Sequence, residues 1–119
     1  MHMDRPVFVF GSNLSGHHDK GAALEALHNR GAVYGNGHGL QGNSYAIATK
    51  DENLRSLPLV QIAEGIERFL DFAKTHPWLL FEVTPIACGW TGYKPEHIAP
   101  MFESAPHNVT LPQVFKMAA

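Results

Sequence analysis

Val7-Phe8-Val9-Phe10-Gly11-Ser12-Asn13-Leu14-Ser15-Gly16-His17-His18-Asp19-Lys20-Gly21-Ala22-Ala23 reads as a buried strand, a glycine-punctuated loop and the start of a helix. Four consecutive apolar residues of β-branched and aromatic type suit a central parallel strand, which is covered on both faces. Gly11, Gly16 and Gly21 either adopt backbone angles that other residues resist or let a ligand approach the main chain closely. The helix that follows directs unpaired N–H groups and the positive end of its dipole at that loop. Strand, glycine loop and helix N-terminus together make an anion site, most often for phosphate or pyrophosphate. The alternative is a tight strand-to-helix turn with no ligand. The spacing is neither G-x-x-x-x-G-K-[ST] nor G-x-G-x-x-G, so neither the usual nucleoside-triphosphate nor the usual dinucleotide fingerprint applies.

Working outward, Lys20 to His28 predicts a short helix with Ala22, Ala23, Ala26 and Leu27 on one side and Gly31 as its stop. Ala32-Val33-Tyr34 suits a short edge strand. Glycine at 35, 37, 39 and 42 argues against regular structure over residues 35–43 and marks a second ligand-wrapping loop. Ser44 to Thr49 reads as a strand. Ser56, as N-cap, and Pro58, in the first turn, open the clearest helix. Its core stripe is Leu59, Ile62, Ala63, Ile66, Phe69, Leu70 and Ala73, opposite a solvated face of Gln61, Glu64, Glu67, Arg68, Asp71 and Lys74. His76-Pro77 ends it. Leu79 to Ile86 predicts a central strand running into a third glycine loop, Ala87 to Tyr93. Pro95 starts a helix that Pro100 must kink or restart. Val109 to Phe115 suits a last strand, which Pro112 confines to an edge or shortens.

Alternation of strand and helix predicts an α/β fold, a three-layer α/β/α sandwich with mostly parallel strands. In such sheets ligands bind beyond the carboxyl ends of the strands. Three glycine-rich loops follow strands, and two lead into helices, so they can converge on one end of the sheet around a phosphorylated ligand.

Composition sets the remaining bounds. With 119 residues and an apolar fraction of 45%, the chain fits one domain with one core, here placed over residues 4–116. A formal charge of −2 provides no basic surface for nucleic acid. A single cysteine precludes an internal disulfide and suits a reducing compartment. No segment has the length and apolarity of a membrane span, and no signal-peptide core is visible, so a cytoplasmic protein without membrane partners is expected.

Three pieces carry a family resemblance. Phe10-Gly11-Ser12-Asn13 with Lys20-Gly21-Ala22-Ala23 is the first. Tyr45-Ala46-Ile47-Ala48-Thr49-Lys50 with the Pro58 helix is the second. Pro85-Ile86-Ala87-Cys88-Gly89-Trp90-Thr91-Gly92-Tyr93 through Ile98-Ala99-Pro100-Met101-Phe102 is the third. Together they resemble the macrodomain family, the ADP-ribose-binding fold. The match is closest to the small branch that removes ADP-ribose from glutamate or nucleobase targets. The resemblance implies a macrodomain-like mixed sheet and a partner that is an ADP-ribose-like nucleotide or an ADP-ribosylated macromolecule, with no separate cofactor. It places the ligand against Gly11, Ser12, Asn13, Lys20, Gly21 and Ala22, and against Ala87, Cys88, Gly89, Trp90, Thr91, Gly92 and Tyr93.

Within the resemblance, Lys50 matches the lysine that acts as nucleophile on the distal ribose in the glutamate-specific hydrolases. The assisting aspartate of that branch is replaced by Thr91, a weak substitute for a base. Asp4 is a poor match for the aspartate that holds adenine in the family, so base recognition is expected to differ. Two function classes follow: a binder of ADP-ribose or a related pyrophosphate nucleotide, which we favour, and an ADP-ribosyl hydrolase using Lys50. A nucleotide-binding enzyme on another Rossmann-like fold is the alternative.

Individual residues keep more than one reading. Asn13 can hydrogen-bond a ribose hydroxyl or cap its own turn. Trp90 and Tyr93 can stack on a base or fill core. Cys88 lacks Cys-His-Asn spacing and reads better as a small buried hydrophobe than as a nucleophile. Adjacent histidines rarely chelate one ion, so His17, His18 and Asp19 are not expected to hold a metal.

Overall fold

The computed structural model describes residues 5–89 and 91–118. A five-stranded sheet has the order β2 (Gly39–Gln41), β3 (Ser44–Lys50), β1 (Val7–Asn13), β4 (Phe81–Val83), β5 (Val109–Thr110). β1 lies at its centre, parallel to both β3 and β4. β5 extends the sheet in parallel, whereas β2 pairs antiparallel to β3. The fold is thus α/β with a mixed sheet.

Side chains that alternate along β1 build two cores. Phe8 and Phe10, with Ala46 of β3, pack under Ala23 and Ala26 of helix α1 (Gly21–Asn29). Val7 and Val9, with Tyr45, Ile47, Phe81 and Val83, face the other way. There they meet Ile62, Ile66, Phe69, Leu70 and Ala73 of helix α2 (Leu59–Thr75), and Phe102 and Phe115 from the C-terminal segments. These two clusters make the three layers. The stripe read from 3.6-residue spacing is the buried face of α2, and its charged face is exposed. Phe69 anchors it, with its ring 5.0 Å from Tyr45 and 5.3 Å from Phe81.

Three elements differ from the sequence expectation. Residues 35–43 are not wholly irregular, because Gly42-Asn43 makes a two-residue hairpin turn, with Gly42 at φ +60°. That turn lays β2 on the open edge of β3. Ala32-Val33-Tyr34 correspondingly forms no strand; the Val33 N–H donates to Gln41 Oε1 instead of to a ladder. The last strand is two residues long, because Pro112 begins the turn whose carbonyl accepts from Phe115 and Lys116 and opens helix α4 (Gln113–Ala118).

Boundaries shift elsewhere. Pro58, not Ser56, is the N-cap of α2, and the Ser56 hydroxyl donates to the Thr91 carbonyl. β4 is shorter than Leu79–Ile86: Thr84 still donates its N–H and hydroxyl to the Val9 carbonyl, but the Ile86 N–H turns back onto the Thr84 carbonyl instead of continuing the ladder. Pro95 opens a single helical turn, α3 (Pro95–Ile98), and Pro100 lies in the 3-10 turn Ala99–Phe102 that follows.

The loop after β1 rests on the 33–41 segment. Gly35 N–H donates to the Gly16 carbonyl at 2.8 Å, and a Cβ on buried Gly37 would lie 2.0 Å from the Asn13 carbonyl oxygen. Backbone cannot yield as a side-chain tip can. Gly37→Ala is therefore expected to lose about 1–3 kcal/mol and to melt roughly 5 °C or more below wild type. Gly89→Ala, whose Cβ would meet open space, should melt with wild type. Coincident melting of Gly37→Ala and wild type would contradict this packing.

Candidate functional site

β1, β3 and β4 are parallel, so their carboxyl ends share one edge of the sheet. A cleft of about 500 Å³ opens there. Its floor is the end of β1, with Gly11, Ser12 and Asn13. One wall is the approach to α1, with Lys20, Gly21 and Ala22. The other is the third glycine loop, with Ala87, Cys88, Gly89 and Thr91, and Lys50 lines the cleft from the end of β3. A second hollow, of about 250 Å³, lies between β3 and α2 and is lined by Leu14, His38, Tyr45, Gln61 and Arg68.

The structure therefore brings together most residues singled out from the sequence, with exceptions that have physical causes. Tyr93 is half-buried against the α2-side core and donates its hydroxyl to the Leu57 carbonyl at 2.7 Å. Neither it nor Gly92 lines the cleft. Trp90 and Asp4 lie outside the described residues.

Two polar residues at the end of β1 act within the loop. The Asn13 amide accepts from the His17 N–H at 2.9 Å and donates to the His17 carbonyl at 3.0 Å. That is the turn-capping alternative for Asn13. Ser12 Oγ lies 3.2 Å from His18 Nδ1, both buried. His18 Nε2 in turn faces the Asn36 carbonyl at 3.1 Å and Gln41 Oε1 at 3.3 Å. Backbone groups and cations, more than these two side chains, are what the floor and walls offer a ligand.

Lys50 is half-buried, and its carbonyl accepts from the Leu14 N–H, which ties the loop after β1 to the end of β3. Thr91 donates its hydroxyl to the Ala87 carbonyl and accepts from the Tyr93 N–H, so its oxygen closes its own turn. Ala87 holds φ +60°, a conformation an L-residue adopts at a cost. Its loop is thus fixed in an unusual shape facing the cleft. Gly89 is exposed, with open space where a Cβ would project.

Sequence reasoning missed His17 and Asp19 as cleft residues, having weighed them only for metal. The two histidine rings diverge: His18 turns into the core while His17 stacks outward on Tyr34. Among the described residues no group of three metal-ligating side chains converges. Thr49, Leu54, Thr84, Pro85 and Ile86 also line the cleft. Thr84-Pro85 carries a signal in hindsight, a strand-breaking pair at the end of an apolar run. Among the described residues no helix is long and apolar enough to cross a membrane.

Burial pushes the Cys88 thiol above its ordinary range, and the Glu96 carboxylate adds to the shift. This is the reverse of an activated nucleophile, which needs a stabilised thiolate. At pH 8 iodoacetamide should modify Cys88 several-fold more slowly in the native protein than in denaturant, and Glu96→Gln should speed the native reaction slightly. Native modification as fast as the denatured would contradict this environment.

Neither protein-family models, curated proteins nor solved structures provide a match for this chain.

Proposed function

We propose that this protein is a small macrodomain-like binder of ADP-ribose or a related pyrophosphate nucleotide. The observation that carries the reading is the cleft at the carboxyl ends of three parallel strands, walled by two glycine loops and the start of α1. A nine-residue helix with no acidic residue in its first turn keeps the positive end of its dipole available to an anion. Lys20 and Lys50 add two cations to the lining. Exposed Gly89 leaves room for a phosphate to reach the backbone. A volume of about 500 Å³ suits a nucleotide-sized ligand.

Lys50 supports a second reading, hydrolysis of ADP-ribosyl conjugates, because it reaches the same cleft. A lysine nucleophile must first lose a proton, which calls for a base or desolvation. Thr91, at the place of the assisting carboxylate in the resembling family, has its hydroxyl committed to the Ala87 carbonyl. Binding without turnover is the better-supported function.

Calorimetry with ADP-ribose, AMP and NAD tests the binding. Gly89→Val should remain folded and bind ADP-ribose about ten-fold or more weakly, a change of about 1.4 kcal/mol. Unchanged affinity in the folded variant would remove the third loop from the site.

Lys50 separates the two readings. As a binding cation its loss in Lys50→Ala should weaken ADP-ribose about two- to five-fold, the size of a partly exposed ion pair. Lys50→Arg should largely restore it. Single-turnover assays on glutamate-linked and base-linked conjugates should show no release. Release by wild type that Lys50→Arg abolishes would replace the binder by a lysine-dependent hydrolase, since a guanidinium stays protonated.

A further inference from the structure

Among the described residues lining the cleft, His17 carries the only aromatic ring. It is exposed, and it lies flat against Tyr34, with ring centroids 5.3 Å apart and planes 14° from parallel. Tyr34 is itself 52% exposed, so the pair is not part of a core. An exposed stacked pair of this kind is usually mobile. This one is held from several directions.

The Asn13 amide fixes the His17 backbone on both its N–H and its carbonyl. The neighbouring His18 is fully buried, edge-on to Phe10 at 5.2 Å, and bonded to the Asn36 carbonyl and Gln41. That contact locks the loop against the 33–41 segment, which carries Tyr34. Gly35 and Gly16 join the same two segments through their main chains. Asp19, a third cleft residue, lies near Tyr34; desolvation first, then the Asp19 carboxylate, push the Tyr34 hydroxyl above its ordinary range. A buried polar network thus spends its bonds on the placement of one exposed ring pair.

Fixed aromatic rings offer a ligand a flat face whose ordering is already complete, so little entropy is lost on binding. We propose that the His17–Tyr34 pair is the platform on which the heterocyclic base of the bound nucleotide stacks. His17 precedes Lys20 by three residues, which puts the base platform next to the α1 end of the cleft, where the pyrophosphate is read. Tyr93 does not compete for this role, its hydroxyl being tied to the Leu57 carbonyl. This inference rests on the pyrophosphate-nucleotide reading of the cleft.

The test is calorimetry with two probes, ADP-ribose and inorganic pyrophosphate, on wild type, His17→Ala, His17→Phe and Tyr34→Ala. Wild type should bind ADP-ribose more tightly than pyrophosphate. His17→Ala should lose about ten-fold in ADP-ribose affinity, the scale of one base stacked on one ring. Its pyrophosphate affinity should stay at the wild-type value. His17→Phe should retain ADP-ribose binding, and Tyr34→Ala should fall between. Equal losses for both probes in His17→Ala would overturn the platform in favour of a charge or loop-shape role. No loss for either probe, or wild type binding both equally well, would also overturn it. Wild type binding neither probe would instead overturn the reading of the cleft itself.

Discussion

β1 is hydrogen-bonded along both edges and packed on both faces, and the rest of the molecule follows from satisfying it. A parallel strand cannot return to its neighbour by a tight turn; each connection must cross a face of the sheet. The chain from β1 to β3 crosses through α1, and the chain from β3 to β4 crosses through α2. Both loops that leave these strands therefore emerge at the same edge. The cleft is a geometric consequence of parallel pairing before any residue in it is chosen.

What the residues add is rigidity. The bulge between Ser12 and Asn13 ends the regular ladder as β1 enters its loop. Ser12 and Asn13 then turn their side chains back onto His18 and His17. Across the cleft, Tyr93 and Ser56 tie the third loop to the segment that leads into α2. Loops held by hydrogen bonds in this way keep a fixed backbone shape, and a preformed backbone is what anion recognition demands.

The central architecture was legible because its signals are local. A run of four apolar residues marked β1, and the 3.6-residue stripe from Leu59 to Ala73 marked α2. Strand-loop-helix order alone was enough to bring the first and third glycine loops together. The sites of failure are places where a distant partner decides. β2 exists because β3 has an open edge, which its own residues do not announce. The C-terminal end of α2 and the start of β5 are joined by Asn108, whose amide donates to the Ala73 and Leu79 carbonyls at 3.0 Å, some thirty residues away in sequence. The roles of Asn13 and Tyr93 were open for the same reason: a polar side chain near a cleft serves either the ligand or the scaffold, and only its partners distinguish these. His17 was hidden by its neighbour: the two histidines were weighed only as a pair, for a metal that was not expected, and nothing local says that one lies inside and the other outside.

The central claim is that one edge of the sheet takes the nucleotide. Titration of 15N-labelled protein with ADP-ribose, followed through backbone amide shifts, reads that directly. The account predicts saturable changes concentrated in Gly11–Ala22, Thr49–Leu54 and Thr84–Thr91, with β2, β5 and α4 unmoved. Changes centred on Tyr45, Gln61 and Arg68, around the smaller hollow beside α2, or no saturable change at millimolar ligand, would contradict it.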